Sequence, residues 1–220
     1  MLTEDYLMRM INLAVAALLR AIGLRKEGQY FDAQQALDQA VEQLTGLRAD
    51  LLLRLDDRAL LDHLLIQGEL DRERALLLAD LYQEQGKLDQ VQGNIARACA
   101  SRIRALTLYL EVALGDKEGI AIQEKIDGLI ASVQVCQTPF ETRFTLYSYY
   151  EDTGRYARAE QILASLISDG SYPEEMRQEY QDFCHRMLKK PSAELARGGL
   201  TPDQVNKLIH EYENSDDQRH

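Results

Sequence analysis

Two stretches far apart in the chain carry the same residue classes at the same spacing. Gly28, Tyr30, Ala33, Leu37 and Ala40 in the first match Gly154, Tyr156, Ala159, Leu163 and Leu166 in the second. Apolar positions three and four residues apart share one face of a helix. A glycine ahead of them permits the left-handed turn that a helix hairpin needs, and the small residue lets two helix axes approach closely. Such a unit folds only as a pair of packed helices. Little in the rest of the chain opposes this: Pro occupies four of 220 positions, Leu, Ala, Glu, Gln and Arg dominate, and β-branched runs are nearly absent. An all-α fold of about ten helices is expected, without sheet.

The apolar periodicity places the helices one by one. Residues 4–26 form the first, with Asp5, Arg9, Asn12 and Arg20 as a narrow polar stripe, and Gly28 stops it. The second carries Tyr30, Ala33, Leu37, Ala40 and Leu44 and ends before Gly46. The leucine-dense stretch 47–68 reads as two short helices, with Asp56 or Asp57 as a cap. A long helical pattern follows from Asp71. Its break is placed at Gly93-Asn94 rather than Gly86, because Gly is a favoured stop and Asn a favoured cap, and two helices of similar length then result. Gly115-Asp116 ends the next helix, and residues 120–135 carry another. Thr138-Pro139-Phe140-Glu141 and Thr201-Pro202-Asp203-Gln204 both have the composition of a capping box, with the Pro at the first helical position, opening helices over 139–153 and 202–213. Between them lie helices over 156–167 and 173–190, and residues 214–220 read as a polar tail behind a single elongated domain spanning 1–213.

The G-x-Y-x-x-A-x-x-x-L pattern resembles the second half of a tetratricopeptide repeat. A weaker copy follows Gly93, with Ile95, Ala98 and Ala105 in register and Arg102 where an apolar residue belongs. The resemblance implies a tetratricopeptide-like array of antiparallel hairpins, with extra helices between copies because they lie further apart than one 34-residue period. The opening D-Y-L-M-R-M-I and the later G-E-L-D-R-E-R-A-L-L-L-A also look like a family of uncharacterised bacterial proteins of about this length, which implies no particular activity.

A net charge of −11 repels the phosphate backbone, which argues against a nucleic-acid binder. Cys99, Cys136 and Cys184 form no C-x-x-C, and their odd number excludes a fully paired framework, which suits a reducing, cytoplasmic setting. The apolar run 13–19 is too short to span a bilayer, and Glu4 and Asp5 stand where a signal peptide would be basic, so neither secretion nor a membrane partner is expected.

No metal, nucleotide or nucleophile motif is present, and no cofactor is expected. Cys184 and His185 are adjacent, so on a helix they point about 100° apart and do not face each other. Asp182 and His185 have metal-ligand spacing but lack the second such motif that a helical di-metal site needs. The reading is therefore a non-enzymatic scaffold or interaction protein. Its competitor is an enzyme whose site is assembled from distant residues: Cys184, His185, His63 and the tyrosines. In tetratricopeptide proteins the first helix of each hairpin lines the concave face, and the resemblance places Glu141, Phe144, Ser148, Glu151 and Asp152 there, an acidic surface for a basic protein or peptide partner. The first helix is apolar around most of its circumference, which suggests a homodimer with Val15, Leu18 and Ile22 at the contact.

Overall fold

The computed structural model describes residues 2–114, 120–169 and 173–217. The chain is all-α, with twelve helices among the described residues. Contacts within it separate two compact units, one up to Thr138 and one from Pro139 onward.

In the first unit, α1 (Leu2–Lys26) pairs with α2 (Tyr30–Thr45), and α5 (Arg72–Val91) pairs with α6 (Ile95–Leu114). Helix α5 is the centre, packing on α1, α2 and α6, while α7 (Ile120–Val133) covers α6. Between the pairs lie α3 (Ala49–Leu52) and α4 (Asp57–His63), the latter capped by the Asp56 carboxylate, which accepts the Ala59 N–H at 2.7 Å. The second unit consists of the hairpin α8 (Phe140–Asp152) and α9 (Tyr156–Ser168), with α10 (Pro173–Leu188), α11 (Ser192–Arg197) and α12 (Pro202–Asp217). Helix α10 packs on α9 and α12.

The hairpin glycines share one geometry. Gly28, Gly93 and Gly154 have φ of 78°, 79° and 72°, the left-handed region. At each, the N–H of the following residue donates back across the turn: Gln29 to Leu24, Asn94 to Asp89 and Arg155 to Tyr150, at 2.8–2.9 Å. This is the six-to-one bond of a Schellman motif, which a glycine makes possible and which satisfies the last carbonyls of the helix it ends. The break at Gly93 is thus the turn, and Gly86 lies inside α5, where a Cβ would meet the Arg102 side chain at 2.9 Å. Arg102, the residue out of pattern, spreads over that glycine.

Several expectations need correction. Thr138 and Glu141 do not form a capping box: α8 starts at Phe140 with Pro139 as its cap residue, and no side chain caps it. At α12 the box forms in full, the Gln204 N–H donating to Thr201 Oγ at 3.2 Å and the Thr201 N–H to Gln204 Oε1 at 2.8 Å. A minimal antiparallel strand pair, Leu65–Ile66 with Glu69–Leu70, interrupts the helices, closed by Gln67 and Gly68 at φ 55° and 87°. That is the hairpin turn with two left-handed centres. Helix α11 was not anticipated, and α12 continues to Asp217, through most of the segment read as a tail. The Gly115-Asp116 break lies outside the described residues. Cys99 on α6 and Cys136 after α7 are joined by a disulfide, Cα atoms 5.6 Å apart. Thirty-seven residues of sequence hide the pairing, which exists because α7 folds back along α6.

Candidate functional site

The inner faces of α2 and α5 supply apolar residues at helical spacing, and α3 stands beside them, so a cleft of about 480 Å³ opens between the three helices, with Arg97 of α6 at its edge. Leu37, Val41, Leu81 and Tyr82 form its floor and are all buried. At one end the Gln34 and Gln85 amides exchange hydrogen bonds, 2.9 Å one way and 2.8 Å the other, and Gln34 also donates to Asp38 at 2.9 Å. Asp38, Glu42 and Asp50 bring negative charge to the rim, and Arg48 and Arg97 positive charge. Arg48 is engaged by Asp50 at 3.0 Å, and Arg97 lies 3.6 Å from the wholly buried Asp89. Each guanidinium therefore has its own carboxylate, and Asp38 and Glu42 leave the cleft net negative. Burial pushes the Tyr82 phenol up to about 12 even though the nearby Arg104 acts the other way. It stays neutral, with its hydroxyl inside the wall and without a hydrogen bond.

The acidic face expected on α8 is differently disposed. Glu151 accepts from Arg186 at 2.7 and 2.9 Å, and the Tyr147 hydroxyl oxygen lies 2.9 Å from it. Phe144 is half-buried in an aromatic row between Phe140 and Tyr147, and the Ser148 hydroxyl donates to the Phe144 carbonyl. Glu141 and Asp152 remain exposed. The helix brings these five residues onto one element but commits the central carboxylate to a partner within the unit. Of the residues named for self-association, Leu18 is buried, Ile22 half-buried and Val15 exposed; the exposed side of α1 instead carries Met8, Leu13, Val15 and Leu19.

Tyr30, which occupies the position of Tyr156 in the repeated pattern, is exposed, as is Phe31. Tyr156 is buried, yet its ring lies on Gly198 ahead of α12 and its hydroxyl donates to Glu194 at 2.5 Å. Cys184 is buried and its thiol pushed up to about 11, chiefly by desolvation, whereas His185 beside it is exposed. A thiol held protonated is a poor nucleophile. His63 belongs to the other unit, where its Nε2 lies 2.8 Å from the Thr45 carbonyl oxygen. Among the described residues no group of three or more His, Cys, Asp or Glu is placed to hold a metal ion.

The cleft was missed in the sequence because its walls come from residues 34–53 and 81–97, in helices whose pairing depends on the α2–α5 contact. The one legible signal was the pair Asp38 and Glu42, four residues apart on the rim of an otherwise apolar helix face. No curated protein and no solved structure matches the chain. A family model described as a family of unknown function (DUF6483) matches residues 1–216, and the chain belongs to that family.

Proposed function

We propose that this is a non-enzymatic interaction protein, tetratricopeptide-like in build, that holds a basic, partly apolar segment of a partner protein in the cleft between α2, α3 and α5. The observation that carries the reading is the make-up of that cleft: an apolar floor under a rim whose two cations are already paired and whose remaining carboxylates are Asp38 and Glu42. An arginine or lysine lays its aliphatic stem on apolar surface and presents its charge to carboxylates, which is what this floor and rim offer together. The tetratricopeptide-like reading is supported by the three Schellman turns and by the fully buried Ala33 and Ala159 at the close-crossing positions. The exposed Tyr30 weighs against it.

The test is titration of the full chain with a capped synthetic peptide alternating leucine with arginine and lysine, alongside a variant carrying Asp38→Asn and Glu42→Gln. The expected result is saturable binding that weakens about tenfold in the variant and falls with added salt. Equal affinity of both proteins, or equal binding of a peptide with glutamate in place of the basic residues, would overturn the reading.

A further inference from the structure

We propose that the outer face of α1 docks on the surface of an anionic lipid bilayer, lying among the headgroups rather than crossing the membrane. The helix is long and apolar enough over Leu7–Lys26 to span a bilayer by length and composition, and only 17% of that window is buried within the chain. Within that window the charged residues are Arg9, Arg20, Arg25 and Lys26, with no carboxylate; Glu4 and Asp5 precede it on the same helix, and Arg25 is paired with Glu84. The chain carries −11, so without these four cations the rest carries −15. The longest helix thus carries a local excess of positive charge in an acidic protein.

Position around the helix decides what this face can meet. Ala14, Leu18 and Ala21 are buried, and α1 packs on α2 and α5. Met8, Val15 and Leu19 form one exposed line about 110° round from that buried face, Leu19 being 64% exposed. Arg9 and Arg20 are exposed about 100° further round, with Leu13 just beyond them. A strip of large apolar side chains bordered by a column of arginines suits the boundary between acyl chains and anionic headgroups, where the arginine stems reach up to phosphate. Tyr30 and Phe31, the latter 74% exposed, open α2 at the Lys26 end of the same hairpin and add the aromatic pair favoured at that boundary. Crossing the bilayer would strip Ala14, Leu18 and Ala21 from α2 and α5, so the helix lies on the surface. A second copy docked antiparallel by two-fold symmetry would set one arginine column against the other, a repulsion that an anionic surface converts into attraction.

The test is sedimentation of the full chain with vesicles of phosphatidylcholine alone and of phosphatidylcholine mixed equally with phosphatidylglycerol. The chain is expected to sediment with the mixed vesicles only, to be released by high salt and by alkaline carbonate, and to lose binding when Leu13 and Leu19 are both replaced by Glu. Arg9→Gln with Arg20→Gln should weaken it about tenfold or more. All variants are surface changes, and unchanged circular dichroism confirms their fold. The Asp38→Asn, Glu42→Gln variant should bind vesicles like the unmodified chain, which separates this surface from the cleft. Failure to sediment with the mixed vesicles, equal sedimentation with both kinds, or resistance to carbonate would overturn surface docking. So would a concentration-dependent doubling of mass, abolished by the Leu variants, in a chain that ignores vesicles; a second copy would then be the occupant.

Discussion

The Tyr147 hydroxyl on α8 donates to a Glu179 carboxylate oxygen on α10 at 2.6 Å, and the Arg186 guanidinium reaches that same hydroxyl oxygen at 2.8 Å. Glu151 completes the group, so one phenol and one guanidinium hold two carboxylates between two helices. The motif recurs. Tyr109 donates to Asp80, Tyr156 to Glu194 and Tyr180 to Glu160. Part of this chain's acidic surplus is therefore structural, providing acceptors for buried phenols that would otherwise lose a hydrogen bond to water.

Replacing Tyr147 by Phe keeps the ring in the core against Phe183 but removes the donor between Glu151 and Glu179. Both carboxylates then depend on Arg186. A loss of about 1 to 3 kcal/mol in unfolding free energy is expected, confined to the second unit. Chemical denaturation followed by near-ultraviolet circular dichroism checks it, and a change within error of zero would mean that water replaces the phenol at no cost.

The buried tyrosines also set the alkaline limit. Desolvation raises Tyr82 from 10.0 to about 12, and desolvation with carboxylate partners raises Tyr109 and Tyr147 further. In the unfolded chain these phenols ionise near 10, while in the folded chain they keep their protons. Above pH 10 the unfolded state therefore binds fewer protons, and stability must fall as pH rises. For Tyr82 the loss accumulates between pH 10 and about 12, at up to about 1.4 kcal/mol per pH unit. Below pH 10 these groups contribute no slope. Urea midpoints measured from pH 8 to 11 check this, and in the Tyr82→Phe variant the alkaline slope should be shallower.

Local chemistry was legible in the sequence, and long-range chemistry was not. Gly28, Gly93 and Gly154 could be placed in turns because a left-handed residue between two amphipathic runs has few other uses, and the cap of α4 could be narrowed to Asp56 or Asp57, of which the structure uses Asp56. Tyr30 and Tyr156 occupy equivalent positions in the pattern but end in different environments, since only Tyr156 meets a later segment, around Gly198 and Glu194. The cleft and the Cys99–Cys136 bond failed to register for the same reason: each joins residues whose proximity is created by helix pairing. Thr138 misled because Pro139 takes the cap position in extended backbone and pushes the start of α8 one residue on.

Two glycines should respond to alanine in opposite directions. A Cβ at Gly198 would collide with the Tyr156 ring and come within 2.6 Å of the Gly154 carbonyl oxygen, where the backbone is also bonded to Ala157. Neither neighbour can move without opening the α8–α9 turn, so Gly198→Ala should cost about 1 to 3 kcal/mol. Gly128 sits exposed within α7 with nothing within 4 Å of a Cβ. Gly128→Ala should stabilise by about 0.4 to 1 kcal/mol, because alanine has less freedom to lose on folding. Thermal melts of the two variants decide the matter, and shifts of the same sign would contradict this local packing.

The disulfide makes the last prediction. Helix α7 packs on α6 through Ile122, Ile126, Leu129 and Val133, all buried, and Cys136 lies just beyond its end, tied to Cys99 near the start of α6. The covalent link therefore closes the end of the α6–α7 pair opposite the connecting segment. Closing a loop of 37 residues restricts the unfolded chain and stabilises the folded one by about 4 kcal/mol on the chain-entropy account. Because the apolar face of α7 stays buried without it, reduction should lower the stability of the first unit without unfolding it. Thiol counting gives the readout. Cys184 is buried with its thiol pushed up to about 11, so the unreduced native chain should show no rapidly reacting thiol at neutral pH. One should appear on unfolding without reductant, and two should react rapidly in the folded chain after mild reduction, because Cys99 and Cys136 are both half-exposed. Cys99→Ser should leave Cys136 reactive and lower the melting temperature. Two rapidly reacting thiols in the untreated native chain would mean that the bond between α6 and the end of α7 does not form.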